Sequence, residues 1–167
     1  MKTLLRALVF LLVVLWLGGV MFFPVVASSA FASLPDTHAA GTVVAQCLRV
    51  LHYEGLFGGT LLVILLLVSW RVGAFKWHVS GAIVLALIML GLTAFSQFSI
   101  IPKMDGYRLA AGGAIDAAPP GDPNRVAFNA LHHTSEHVEE GVLIAGIVLV
   151  IILAWEGSTP RPSTLQK

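Results

Sequence analysis

The stretch VSGAIVLALIMLGLTAFSQFSII, residues 79–101, runs for twenty-three positions without a charged side chain. At 1.5 Å per helical residue such a run reaches across a hydrocarbon core about 30 Å thick. Ala7–Val26 is a second run of this kind, with twenty uncharged residues. Two shorter ones, Gly55–Trp70 and Gly141–Trp155, hold sixteen and fifteen residues. Each is preceded by a helix-compatible mixture of apolar and polar residues, Thr42–Glu54 and Pro123–Glu140, that lengthens it without an internal proline. The expectation is an all-α polytopic membrane protein, a bundle of four transmembrane helices over residues 5–30, 42–71, 77–101 and 123–156, with a flexible cytoplasmic tail at 157–167.

Composition agrees with that reading. The 167 residues are 57% apolar and 11% charged, whereas a soluble domain is roughly half apolar and a quarter charged. The chain is long enough for one domain, and lipid is its first expected partner. A formal net charge of +1 without a clustered basic face excludes nucleic acid. Cys47 is the single cysteine, so a paired-thiol metal or redox motif is excluded and any metal site must use histidine and carboxylate.

Basic residues near span ends are retained on the cytoplasmic side. Lys2, Arg6, Arg71, Lys76, Arg161 and Lys167 fall on one side, and Arg49, Lys103, Arg108 and Arg125 on the other. The short loop Arg71–Trp77 carries two cations and no acid, which reads as cytoplasmic. Both termini are therefore expected inside, in the cell (inner) membrane, with Trp70, Trp77 and Trp155 at the inner interface. A competing reading of the N-terminus is a secretory signal, since Lys2, an apolar run and Ala30-Phe31-Ala32 imitate one.

Several local signals follow. Asp122 is placed to cap the fourth helix and Pro123 to occupy its first position, where a missing N–H is harmless. Gly55 with Gly59 and Gly141 with Ala145 have the small-residue spacing that lets membrane helices approach, and are expected to bring helices two and four together. Leu51-His52 and Leu131-His132 align as a thin internal repeat, which would set the two histidines at comparable depth on helices running the same way. His38 is expected in a solvated loop.

Five of six histidines, His38, His52, His132, His133 and His137, gather at the outer ends of the helices. On one helix His133 and His137 share a face with Glu140. His132, His133, His137 and Glu140 are thus the candidate ligands of a transition metal ion, zinc or copper. The alternative for these residues is a solvated helix start bonded to water and to Arg49 or Arg125. His52 and His132 on facing helices are the candidate axial ligands of haem b in an electron-transfer protein. A third reading is an accessory subunit of a larger membrane complex, or a homo-oligomer. No activated serine, phosphate-binding loop or zinc-protease string is present, and a non-enzymatic role is expected.

Trp16-Leu17-Gly18-Gly19 with Phe22 and Pro24, a proline ending helix three at Ile101-Pro102-Lys103-Met104, and Phe128-x-x-Leu131-His132-x-x-Ser135 leading into helix four form a pattern. It resembles the transmembrane protein 205-like family, a domain of unknown function in small bacterial membrane proteins and in a eukaryotic protein linked to cisplatin resistance. The resemblance implies a four-helix membrane fold and an association with metal or drug tolerance, with no established reaction. It marks Phe128, His132 and Ser135 as functional positions. The sequence departs from the pattern by adding His133, His137 and the Glu139-Glu140 pair.

Overall fold

Long uncharged runs leave a backbone in lipid one economical solution, which is to satisfy every N–H and C=O within the helix. The computed structural model describes residues 1–75 and 78–158. Its main helices are α1 (Lys2–Ser33), α2 (Thr37–Arg71), α3 (Val79–Phe95), α4 (Ile101–Ala110) and α5 (Pro123–Ser158). A π-helical turn, Ser96–Ile100, joins α3 to α4, so that Val79–Ala110 is one continuous span. Four spans are long and apolar enough to cross a membrane, and no strand occurs among the described residues. Beyond residue 158 the expected cytoplasmic tail lies outside the described residues, as do Lys76 and Trp77 of the short basic loop.

Helix α3 does not stop at Pro102. A proline has no N–H to give and its ring collides with the carbonyl four residues back. The π turn removes that conflict by widening the helix, and the N–H of Ile101 bonds to Ser96 O, five residues back. Pro102 then sits in the first turn of α4, where its missing donor is harmless. The polar segment 103–110 is thus helical as a direct continuation of the span.

Packed seams run α1–α2, α2–α3, α3–α5 and α1–α5, so the spans form a ring with α2 and α5 on a diagonal. The buried faces recur at three- and four-residue steps: Val9, Val13, Trp16 and Val20 on α1, and Ala82, Ala86, Met89 and Thr93 on α3. Gly55 and Gly59 do not meet Gly141 and Ala145. They form the floor under the Trp16 indole of α1, and a Cβ on Gly59 would come 2.5 Å from Trp16 Cζ3. Gly141 faces Leu92 of α3 instead.

At the end holding the N-terminus, Arg6 donates through Nε to Ala74 O at 2.7 Å, and its guanidinium lies over the Phe75 ring, 5.1 Å from the centroid. His78 stacks on Trp155 there. At the opposite end, called here the hairpin end, two carboxylates start helices. Asp36 accepts from the N–H groups of His38 and Ala39, and Asp122 from those of Asn124 and Arg125. The second cap and Pro123 at the helix start agree with the sequence reading. His38 differs from it, lying in the first turn of α2 because Asp36 starts the helix at Thr37.

Candidate functional site

His52 is buried among the helices, 1% exposed. Its Nε2 lies 2.7 Å from Glu139 Oε1 on α5, and its Nδ1 lies 3.0 Å from Gln97 Oε1 on the π turn. Three spans therefore converge on one imidazole. The π turn supplies the third: an extra residue in the turn buries both Ser96 and Gln97, and such bulges recur at functional sites because they re-aim side chains. A buried polar group away from water is costly unless bonded, and here both ring nitrogens have partners. The hydroxyls of Ser96 and Thr93 nearby in sequence are buried without a hydrogen-bond partner.

Above this cluster the bundle opens toward the hairpin end into a cavity of about 860 Å³. Its walls differ. Helices α1 and α2 supply mainly apolar side chains, among them Val20, Phe23, Phe31, Val44, Leu48 and Leu51. Helices α4 and α5 supply Asp105, Arg108, His132, Ser135, Glu136, Glu139 and Glu140. By their order along the helices, Val20, Leu51, Ile101, Glu139 and Leu143 form the floor, and Phe31, Thr37, Arg108 and Phe128 the rim. Glu139 thus has one side on the cavity and one oxygen on His52.

Residues 11–111 match the sequence profile described as a domain of unknown function, DUF4149. The chain belongs to the DUF4149 family. No curated protein and no solved structure matches it. The DUF4149 match takes in most of α1, all of α2 and α3, the π turn and α4. It includes His52 and Gln97 and ends before α5, so the Phe128-His132-Ser135 pattern lies outside it. The match establishes an uncharacterised domain family, and the four apolar helices are consistent with a small integral membrane protein; neither gives a reaction.

Within this DUF4149 bundle the histidines singled out from sequence separate into two groups. His52 is the buried one. His132, His133 and His137 are exposed on α5, each beside a carboxylate of its own helix: His132 Nε2 lies 3.4 Å and His133 Nδ1 3.0 Å from Glu136, and His137 Nδ1 lies 3.1 Å from Glu140. His132 also stacks on Phe128. No group of three or more His, Cys, Asp or Glu side chains is gathered for a metal ion among the described residues. His133 and His137 meet these carboxylates through Nδ1. Both nitrogens of His52 are bonded, to Gln97 and Glu139, so ligation of a haem iron by His52 and His132 would have to displace one of these partners. The alignment of the two Leu-His dipeptides does not carry over to burial, since His52 is buried and His132 exposed.

Arg49 and Arg125 do not serve the histidine segment either. Arg49 pairs with Asp105 of α4. Arg125 donates to the carbonyls of Asp116 and Ala118, which ties down the 111–122 connection. Gln97 and Glu139 are the site residues that sequence reading passed over. Glu139 stood beside the more conspicuous Glu140, and the signal for Gln97 was a lone amide within the uncharged run 79–101.

Proposed function

We propose that this chain is a non-enzymatic integral membrane protein that binds a small amphipathic molecule in the cavity at the hairpin end of its bundle. The observation that carries this is the cavity itself. Its 860 Å³ falls within the roughly 300–1,000 Å³ of ligand sites, which are mostly apolar with a few polar groups that fix orientation. Aliphatic and aromatic side chains of α1 and α2 match the apolar part of such a ligand, and the polar face of α5 matches its headgroup. The transmembrane protein 205-like resemblance, with its association with drug tolerance, is compatible with this reading. Neutral triphenylphosphine oxide is a suitable probe. Saturable binding to the purified protein in detergent is expected, and Ala45→Trp, which fills the cavity from α2, is expected to abolish it. Absence of saturable binding by the unsubstituted protein, both of this probe and of its charged analogue tetraphenylphosphonium, rejects the proposal.

We further propose that the cavity opens away from the cytoplasm. Lys2, Arg6 and Arg71 at the opposite end support this, because cations flanking spans stay inside. With Cys47→Ala as background, a cysteine replacing Asp116 is expected to react with an impermeant maleimide on intact cells. A cysteine replacing Lys2 is expected to react only after lysis. The reverse pattern inverts the orientation.

A further inference from the structure

Glu139 is the group through which the buried core meets the cavity. Its Oε1 lies 2.7 Å from His52 Nε2, while the residue lines the cavity floor. Both ring nitrogens of His52 face oxygen, Glu139 Oε1 on one side and Gln97 Oε1 on the other. That arrangement is satisfied in full when the ring carries a proton on each nitrogen, since imidazolium is a double donor. An ionised carboxylate and an imidazolium then neutralise each other where an isolated charge would be costly.

The charged groups around the pair are arranged along the cavity rather than against it. On α4, Asp105 is engaged by Arg49, and Arg108 lies over Phe128, 5.6 Å from the ring centroid. Phe128 precedes Glu139 by eleven residues on α5, a rise of roughly 16 Å, so Arg108 sits far from the floor, and His38 of α2 and Asp116 of the 111–122 connection also line the cavity. On α5 itself, Glu136 and Glu140 also line the cavity and pair with the exposed histidines His132, His133 and His137. On α2, Glu54 lies against the Gly19 position of α1. The α1 lining carries no titratable side chain. Glu139 is the carboxylate on the cavity floor whose histidine partner, His52, is buried.

We infer that the ligand is an amphipathic organic cation whose positive centre replaces His52 as the partner of Glu139, with release of one proton. The inference rests on the cavity-binding reading above and names its ligand class. The balance is simple. The cation approaches the Glu139 carboxylate, the bond from His52 Nε2–H breaks, and that proton leaves to solvent. Neutral His52 keeps its Nδ1–H toward Gln97 Oε1. One positive charge enters and one leaves, so the net charge at the floor does not change.

Isothermal titration of the full-length protein in detergent with tetraphenylphosphonium, run in buffers of different ionisation enthalpy, tests this. The probe is permanently charged, so any proton released comes from the protein. Binding of tetraphenylphosphonium in preference to neutral triphenylphosphine oxide, with about one proton released per cation near neutral pH, is the expected result. Glu139→Gln should narrow that preference by at least about tenfold, a loss equivalent to roughly 1.4 kcal/mol. His52→Gln should retain cation binding and lose the proton release, which a purely structural role for His52 would not do. Equal affinity for the two probes, or cation binding without proton release in the unsubstituted protein, overturns the inference and leaves the cavity reading standing. Failure of both probes to bind removes the cavity reading and this inference with it.

Discussion

His52 and Glu139 bond across the diagonal of the bundle, at 2.7 Å, although α2 and α5 share no packed seam. The contact links helices that the chain separates by eighty-seven positions. Removing one partner leaves the other without its cross-bundle bond in a largely buried place, which costs more than removing both. His52→Leu and Glu139→Leu are each expected to destabilise the protein by about 1–3 kcal/mol. The double variant should recover part of the loss. A thermodynamic cycle from denaturant unfolding in mixed micelles checks this, and strictly additive effects would show that the two side chains are not coupled.

The glycines on α1 and α2 differ sharply in what surrounds them. A Cβ at Gly59 would meet Trp16 and Leu90, whereas one at Gly18 would meet nothing within 4 Å. Gly59→Ala is expected to lower stability by about 1–3 kcal/mol through overpacking against a rigid indole. Gly18→Ala should be neutral or slightly stabilising, since alanine loses less backbone freedom than glycine. Equal unfolding midpoints for the two variants would contradict the packing described.

Pro102 holds the π turn in place by denying the Phe98 carbonyl a donor four residues later. Pro102→Ala restores that N–H and favours an ordinary α-helical register through Ser96–Ile100. Gln97 would then turn away from His52. The expected signature is a changed ¹⁵N shift for His52 Nδ1, with little change in total helix content by circular dichroism. An unaltered imidazole spectrum would mean that the turn persists without the proline.

The polar anchors at the two ends make separate contributions. Asp122→Ala removes a side chain that accepts from Asn124 N and Arg125 N, and should cost about 0.5–2 kcal/mol. Arg6→Lys keeps the charge but loses the planar group that bonds Ala74 O and covers Phe75. Faster hydrogen–deuterium exchange confined to residues 72–75 is the expected result for Arg6→Lys, and exchange that is unchanged there would count against the clamp.

Much of the fold is legible in the chain because the information is local. A charge-free run of twenty-three residues specifies a span by its length, and Asp122-Pro123 specifies a helix start by side-chain reach and a fixed φ. The partnerships of the glycines were not legible. In lipid the outward face of a helix is as apolar as its inward face, so hydrophobic pattern does not reveal which stripe packs inside. Gly55 and Gly59 had the right spacing for a close approach, but the neighbour turned out to be Trp16 of α1 rather than Gly141.

The candidate site divides in the same way. The excess of histidine at one end of the bundle was visible as composition, and so was the cluster from His132 to Glu140. Which of these groups is buried depends on how α5 is rotated against α1 and α3, and rotation is set by packing across the whole seam. That rotation left His132, His133 and His137 exposed and turned Glu139 toward His52. The sequence by itself determined four membrane-crossing helices and their main starting signals, since length, charge and caps act within a few residues. Tertiary structure alone decided the cavity and the Gln97–His52–Glu139 cluster, because each depends on distances between helices that local propensity does not encode.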